Sequence, residues 1–249
     1  MREVADGVFF SSGCGSNWIL LREDDELTLV DAGYPGDAPQ VADDVRRLVG
    51  SPWKVRAVLV THAHVDHIGA LPGLLRHWDV PVLAHADEIP ALHGEVHDQA
   101  GARDVLANLS APHMARWILT VLRAGGMSHV AVPSASPLPL GGPLDLPGRP
   151  EPVPAPGHSL GHAAFLLRDA GILLTGDALI TGHRLSVVDG PQMLPEFFAR
   201  DPQAALDGLD ALVDLPAGLI LPGHGDPWQG SVREAVERAR ARSAAQSSL

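Results

Sequence analysis

Three imidazoles and a carboxylate crowd into Thr61-His62-Ala63-His64-Val65-Asp66-His67-Ile68-Gly69. His62 and His64 are two apart, so in extended backbone both side chains project to one side. Asp66 and His67 fall where a helix-spaced apolar run begins and have orientations of their own. Imidazole nitrogen with carboxylate oxygen is the ligand set of Zn²⁺ and its borderline neighbours. Three shorter pieces follow at the ends of apolar runs: Pro156-Gly157-His158-Ser159-Leu160-Gly161-His162, Thr175-Gly176-Asp177 and Pro222-Gly223-His224-Gly225. In each, glycine frees the backbone to turn sharply beside a ligand-type residue. One such piece alone would be an ordinary turn. Four together point to one shared metal site.

A scaffold of strands must bring them together. Val8-Phe9-Phe10, Asn17–Leu21 and Leu27–Val30 read as successive strands separated by turn residues. Val41–Leu48 has helical spacing and stops at Gly50-Ser51-Pro52. Val55–Val60 is a buried strand by composition, Ile68–Trp78 a helix with Leu71, Leu74, Leu75 and Trp78 on one face, and Val80–Leu83 the next strand. Residues 96–127 read as an inserted helical pair closed by Gly125-Gly126; Met114, Trp117, Ile118 and Val121 form its apolar face, which suits core packing, a lid or a dimer contact. The proline-rich stretch 133–157 is loop or edge-strand material. Strands resume at Ala163–Leu167, Ile172–Leu174 and Leu219–Leu221, with a helix at about Asp201–Val213 and a terminal helix from Ser231 to about Ala245. Two strand-rich halves, each finishing in helices, predict an α/β sandwich of two sheets with helices outside, as one domain over 1–249.

Composition narrows the substrate. Eighteen Lys and Arg against thirty Asp and Glu give a net charge of −12 over 249 residues, which repels nucleic-acid phosphates; there is no basic patch to offset it. The predicted partner is a small molecule, without nucleic acid or membrane: no apolar run approaches the ~18–20 residues of a membrane span, and the start, Met1-Arg2-Glu3-Val4-Ala5-Asp6, lacks the pattern of a secretory signal. A single cysteine, Cys14, excludes an intramolecular disulfide and four-cysteine zinc sites. A cytoplasmic setting is the expectation.

The order His-x-His-x-Asp-His, then Gly-His, Gly-Asp and Gly-His, with the early Leu29-Val30-Asp31-Ala32-Gly33, is similar to the metallo-β-lactamase fold superfamily from about residue 4 to 230. The resemblance implies a four-layer αββα sandwich with metals along one edge of the sheets. It implies that His62, His64 and His158 hold the first metal, that Asp66, His67 and His224 hold the second, and that Asp177 bridges both. Asp31 and His162 match positions that support the site from behind. The implied cofactor is two Zn²⁺ per chain, with Fe or Mn as alternatives. The implied activity is hydrolysis of an ester, thioester or lactone by attack of a metal-bridging hydroxide that Asp66 orients. The alternative is a mononuclear iron persulfide dioxygenase of the same fold.

Within that superfamily, Asp177 argues against the β-lactamases proper. The run Ala178-Leu179-Ile180-Thr181-Gly182-His183-Arg184 departs from the Gly-Cys-Gly-Arg-like run of glyoxalase-II-type enzymes, and the single tyrosine, Tyr34, sits in an early loop. His183 and Arg184 are candidate substrate-pocket residues. His77, His85, His93, His97, His113 and His129 have no motif partners; His85 stands out among them because it ends a strand. Cys14, between two glycines, reads as a turn residue.

Overall fold

Strand alternation sets the layers. Along Asn17–Glu23, Trp18 and Leu20 join one apolar cluster while Ile19 and Leu21 join another, as a two-residue side-chain period requires. Ile172–Gly176 does the same: Leu173 faces a third cluster, and Ile172 and Leu174 return to the one shared with Ile19. The shared cluster therefore lies between two sheets, and the other two lie under helices. This is the αββα sandwich, seen here in a computed structural model that describes residues 1–97, 107, 109 and 113–246.

The first sheet runs in chain order through β1 (Arg2–Ala5), β2 (Val8–Ser12), β3 (Asn17–Glu23), β4 (Glu26–Val30), β5 (Val55–Leu59), β6 (Val82–Ala84) and β7 (Ala135–Pro137). It is antiparallel as far as β4 and parallel from β4 to β7. The second comprises β8 (Glu151–Pro154), β9 (Ala163–Leu167), β10 (Ile172–Gly176), β11 (Leu219–Pro222) and β12 (Trp228–Gln229), ordered β12-β11-β10-β9-β8, with β10 and β11 parallel. Helix α1 (Ala38–Val49) covers the first sheet through Val41, Val45 and Val49, joined by Leu71 and Leu74. Two helices, α2 (Val65–Ile68) and α3 (Leu71–Leu74), follow β5, and α4 (Ile89–Leu92) follows β6. Helix α5 (Met114–Ala124) precedes β7. On the far side, Leu209 and Leu212 after α6 (Pro202–Gly208), with Val232, Ala235, Val236 and Ala239 of α7 (Val232–Gln246), cover the second sheet.

Four details differ from the sequence reading. The strand β1 exists although its residues are charged or half-exposed, because it pairs only with β2 at the sheet's edge. The helix expected over Ile68–Trp78 is two single turns; Pro72, early in the second, has no N–H to carry the ladder back to Ile68. The strand expected at Val80–Leu83 lies at Val82–Ala84. Of the helical pair expected at 96–127, only α5 is described, ended by Gly125 at φ +80° as expected; its partner falls on 98–106, 108 and 110–112, outside the described residues. The proline-rich stretch supplies β7 and β8, each the edge strand of its sheet, where a missing N–H costs no ladder bond. Among the described residues no helix is long and apolar enough to cross a membrane.

Candidate metal centre

Every ligand-type residue singled out in the sequence stands at one edge of the sandwich. Asp31 follows β4, His62 and His64 follow β5, His158 and His162 lie between β8 and β9, Asp177 follows β10, and His224 follows β11. His64 is the extended residue that opens α2 (φ −81°, ψ 150°), so His62 and His64 precede the helix while Asp66 and His67 sit within its single turn.

The ring nitrogens converge closely. His158 Nε2 is 3.1 Å from His62 Nε2 and 3.0 Å from His64 Nδ1. Asp177 Oδ2 lies 3.5 Å from His158 Nε2 and 3.7 Å from His62 Nε2 on one side, and 3.1 Å from His224 Nε2 on the other. Its Oδ1 faces His67 Nε2 at 3.3 Å, and His224 Nε2 is also 3.3 Å from Asp66 Oδ2. Three overlapping ligand groups result: His62, His64 and His158; His62, His67 and Asp177; Asp66, His67 and His224. Asp177 can approach this closely because residue 223 is glycine: a Cβ there would stand 2.2 Å from Asp177 Oδ1 and 2.8 Å from the His67 ring.

Outer contacts decide which nitrogen His62, His67 and His224 present. Thr61 Oγ1 donates to Asp31 Oδ2 at 2.7 Å, so it accepts from His62 Nδ1–H at 3.0 Å, and the His62 lone pair is left on Nε2. His67 Nδ1 donates to Asp31 Oδ2 at 2.8 Å and His224 Nδ1 to the Gly15 carbonyl at 2.7 Å, so both turn Nε2 inward. Asp31 itself has φ +58°, a left-handed conformation that aspartate tolerates, and its Oδ1 accepts the Thr61 N–H. His162 supports Asp177 through the backbone: its Nε2 accepts the Asp177 N–H at 3.0 Å.

Charge divides the centre in two. Burial, reinforced by neighbouring imidazoles, holds the pKa of His62 and His158 well below the ordinary histidine value. Burial also opposes charge on His67, yet the Asp177 and Asp31 carboxylates outweigh it and raise its pKa well above normal. Against the same burial penalty, Asp177 and Asp66 push His224 up to about 10. In return, despite burial, His224 and His67 hold both carboxylates below their usual range. Burial presses His162 down to about 3.

Among the described residues, three buried side-chain atoms have no hydrogen-bond partner: His162 Nδ1, His67 Nε2 and Asp177 Oδ1, of which the last two face each other at 3.3 Å. A ring nitrogen and a carboxylate oxygen left without a hydrogen-bond partner in a closed cluster of imidazoles and carboxylates fit divalent cations: the donor set is borderline to hard, and the donors aim at shared points.

The candidate pocket residues divide. The His183 ring meets His224 edge-on (centroids 5.1 Å apart) and also contacts Phe198 at 5.4 Å; Phe198 in turn contacts Trp117 of α5 at 5.4 Å. An aromatic wall thus rises from the metal centre to α5. Arg184 is exposed and donates to the Cys14 carbonyl, over the β2–β3 turn. Tyr34 is buried, with its ring edge against Gly15 and Gly126. Cys14 has its thiol pKa pushed up to about 11 by burial and the Asp37 carboxylate, so it stays protonated and poorly nucleophilic.

Several supporting residues carry no motif signature. Asn17, at the start of β3, brackets His224: its side-chain amide donates to the Pro222 and Gly225 carbonyls, and its N–H to the Gly223 carbonyl. Ser16 Oγ donates to the Asp66 carbonyl. Glu88, three residues after His85, accepts hydrogen bonds from two ligand loops. The signal for Glu88 is faint: an acid beside the apolar run Ile89-Pro90-Ala91-Leu92, at a strand end already marked by His85.

The profile of the Metallo-beta-lactamase superfamily matches residues 11–224. The probable metallo-hydrolase YflN of Bacillus subtilis (strain 168) is 31% identical over 85% of this chain and 80% of its own length. A hydroxyacylglutathione hydrolase of Fuscovulum blasticum is 28% identical, over 80% of this chain and 60% of that protein. Among solved structures, a metallo-beta-lactamase family protein from Thermus thermophilus superposes with a TM-score of 0.66 at 28% identity, covering 98% of this chain and 81% of that one.

Proposed function

The chain belongs to the metallo-beta-lactamase superfamily and is a metallo-hydrolase of that fold; on that premise we propose that it is a dinuclear zinc enzyme cleaving an ester, thioester or lactone of a small molecule. His62, His64 and His158 would hold one cation, Asp66, His67 and His224 the other, with Asp177 between them. Bound there, the cations supply Lewis acidity and a water whose pKa falls towards about 7. The chain's own residues do the rest. Asp31 and the Gly15 carbonyl lock the His67 and His224 tautomers. Asp66 has 18% of its side chain exposed, more than Asp177 at 2%; this supports a role for Asp66 in accepting a hydrogen bond from the attacking water and orienting it. The half-buried wall of His183, Phe198 and Trp117 offers an apolar surface beside the His224 half of the centre.

The observation that carries this reading is the bare pair His67 Nε2 and Asp177 Oδ1. It supports a second cation beside the three-imidazole group, and so favours a dinuclear hydrolase over the mononuclear iron dioxygenase, which would leave Asp66, His67 and His224 without a metal. The thioester is supported by the hydroxyacylglutathione hydrolase relative; the acidic, one-cysteine composition favours a cytoplasmic setting. The test is metal analysis of protein purified without added metal, with a turnover panel of esters, thioesters, lactones and β-lactams. About two zinc ions per chain with ester, thioester or lactone turnover is expected. About one iron per chain with persulfide-dependent oxygen uptake would overturn it.

A further inference from the structure

The first ligand group is assembled from both sheets: His62 and His64 come from the loop after β5, His158 from the loop before β9. Their nitrogens lie 3.0–3.1 Å apart across that divide. One carboxylate touches both loops. Glu88, 2% exposed in the turn after β6, accepts the Ala63 N–H on Oε2 at 2.7 Å. On Oε1 it accepts Ser159 Oγ–H at 2.6 Å and the Gly161 N–H at 2.7 Å.

The positions are complementary to the ligands. Ala63 lies between His62 and His64, and Ser159 and Gly161 lie between His158 and His162. Gly161 has to be glycine for this contact: a Cβ there would stand 2.9 Å from the Glu88 backbone nitrogen and 2.9 Å from His85 Nδ1. All three bonds are short, and bonds to an ionised carboxylate are about twice as strong as neutral ones.

We propose that Glu88 is a positioning residue for the first metal: it clamps the His62–His64 loop to the His158–His162 loop and thereby sets the spacing of the three imidazoles. The inference rests on the metal reading above. Glu88 bonds the loops that carry His62, His64 and His158, while Asp66, His67 and His224 lie outside those bonds, so its larger effect falls on the first group. The choice of acid is chemical, because the three groups facing it are all donors. A glutamine would turn its own amide N–H₂ towards either the Ala63 N–H or the Ser159 and Gly161 donors, and at least one bond becomes a donor–donor clash.

The test is zinc affinity of metal-stripped protein by chelator competition, alongside thermal melting. Glu88→Gln is expected to weaken the tighter or the looser of two zinc-binding steps by about 10–100-fold, the range for outer-shell partners of metal ligands, and to leave the other step in place. Ser159→Ala, which removes one bond of three, shifts the same step in the same direction by less; it decides the matter alone if Glu88→Gln does not fold. Asp44→Asn is the structural control: Asp44 is a buried carboxylate bonded to Ser11 and Trp18, away from the ligand loops, and its loss lowers the melting temperature without changing zinc affinity. Unchanged affinity in Glu88→Gln, or an equal loss in Asp44→Asn, overturns the positioning role while the metal reading stands. Failure of the unmodified protein to bind zinc overturns both.

Discussion

The two halves of the centre draw on the same residue types at the same edge of the fold, yet differ in the charge that surrounds the rings. His62, His64 and His158 face one another with Asp177 at 3.5–3.7 Å from two of them, and burial holds the pKa of His62 and His158 well below the ordinary histidine value. His67 and His224 lie within 2.8–3.3 Å of Asp31, Asp66 and Asp177, and those carboxylates outweigh the same burial. The difference is the number of carboxylates within reach of each ring. On the proposed two-cation reading, the first group would take up a cation without first losing protons from His62 and His158, whereas a cation at the second would compete with protons on His67 and His224.

Removing the carboxylate common to both halves should erase the distinction. Asp177→Ala is expected to lose metal from both groups and to lower turnover by roughly 10³-fold or more, the scale of several kcal/mol of transition-state stabilisation, with the fold retained by circular dichroism. Full metal content in this variant would break the comparison outright. His64→Ala and His224→Ala sharpen it, since each touches one half: metal analysis should find about one equivalent lost per variant, with turnover falling in both. Asp31→Asn is a subtler intervention, leaving every ligand in place but weakening the hold on His67 Nδ1. It should weaken metal binding in the second half by about 10–100-fold, read by chelator competition.

The smallest effect is in protons. A group whose pKa is raised keeps its proton at neutral pH, and a ligand nitrogen must shed that proton to bind metal. Loading the second half should therefore release protons near pH 7 from His67 and His224, and its affinity should fall as pH drops. Within the first half, His62 and His158 should release few. Calorimetric titration in buffers of different ionisation enthalpy measures the release for each step; equal release in both steps would remove the distinction.

Much of this is legible in the chain. The seven ligand-type residues can be named from the motifs, and all seven come together, because each piece couples a strand to a glycine-assisted turn. Asp31 and His162 are legible too, and both touch ligands, although His162 acts on the Asp177 backbone. The helix over 68–78 is not, because apolar spacing outweighs Pro72 in the pattern; a missing N–H breaks a ladder that periodicity does not register. Arg184, expected in the pocket, leans over Cys14. Asn17, Ser16 and Glu88 escape the sequence for a common reason: each is an ordinary polar residue whose partners lie tens to hundreds of positions away.

By itself the sequence named the candidate ligands and the layering. Ligand identity is a property of side-chain type and short-range spacing, and the two-residue alternation of strands such as Asn17–Glu23 already separates one buried face from the other. Only the tertiary structure decided which nitrogen His62, His67 and His224 turn inward, which imidazoles have carboxylates beside them, and how the loops from two sheets are held together. Those properties depend on contacts such as His67 with Asp31, His224 with Gly15, and Glu88 with Ala63, Ser159 and Gly161. Hydrogen bonds and Coulomb interactions act over a few ångströms of space, whatever the separation along the chain.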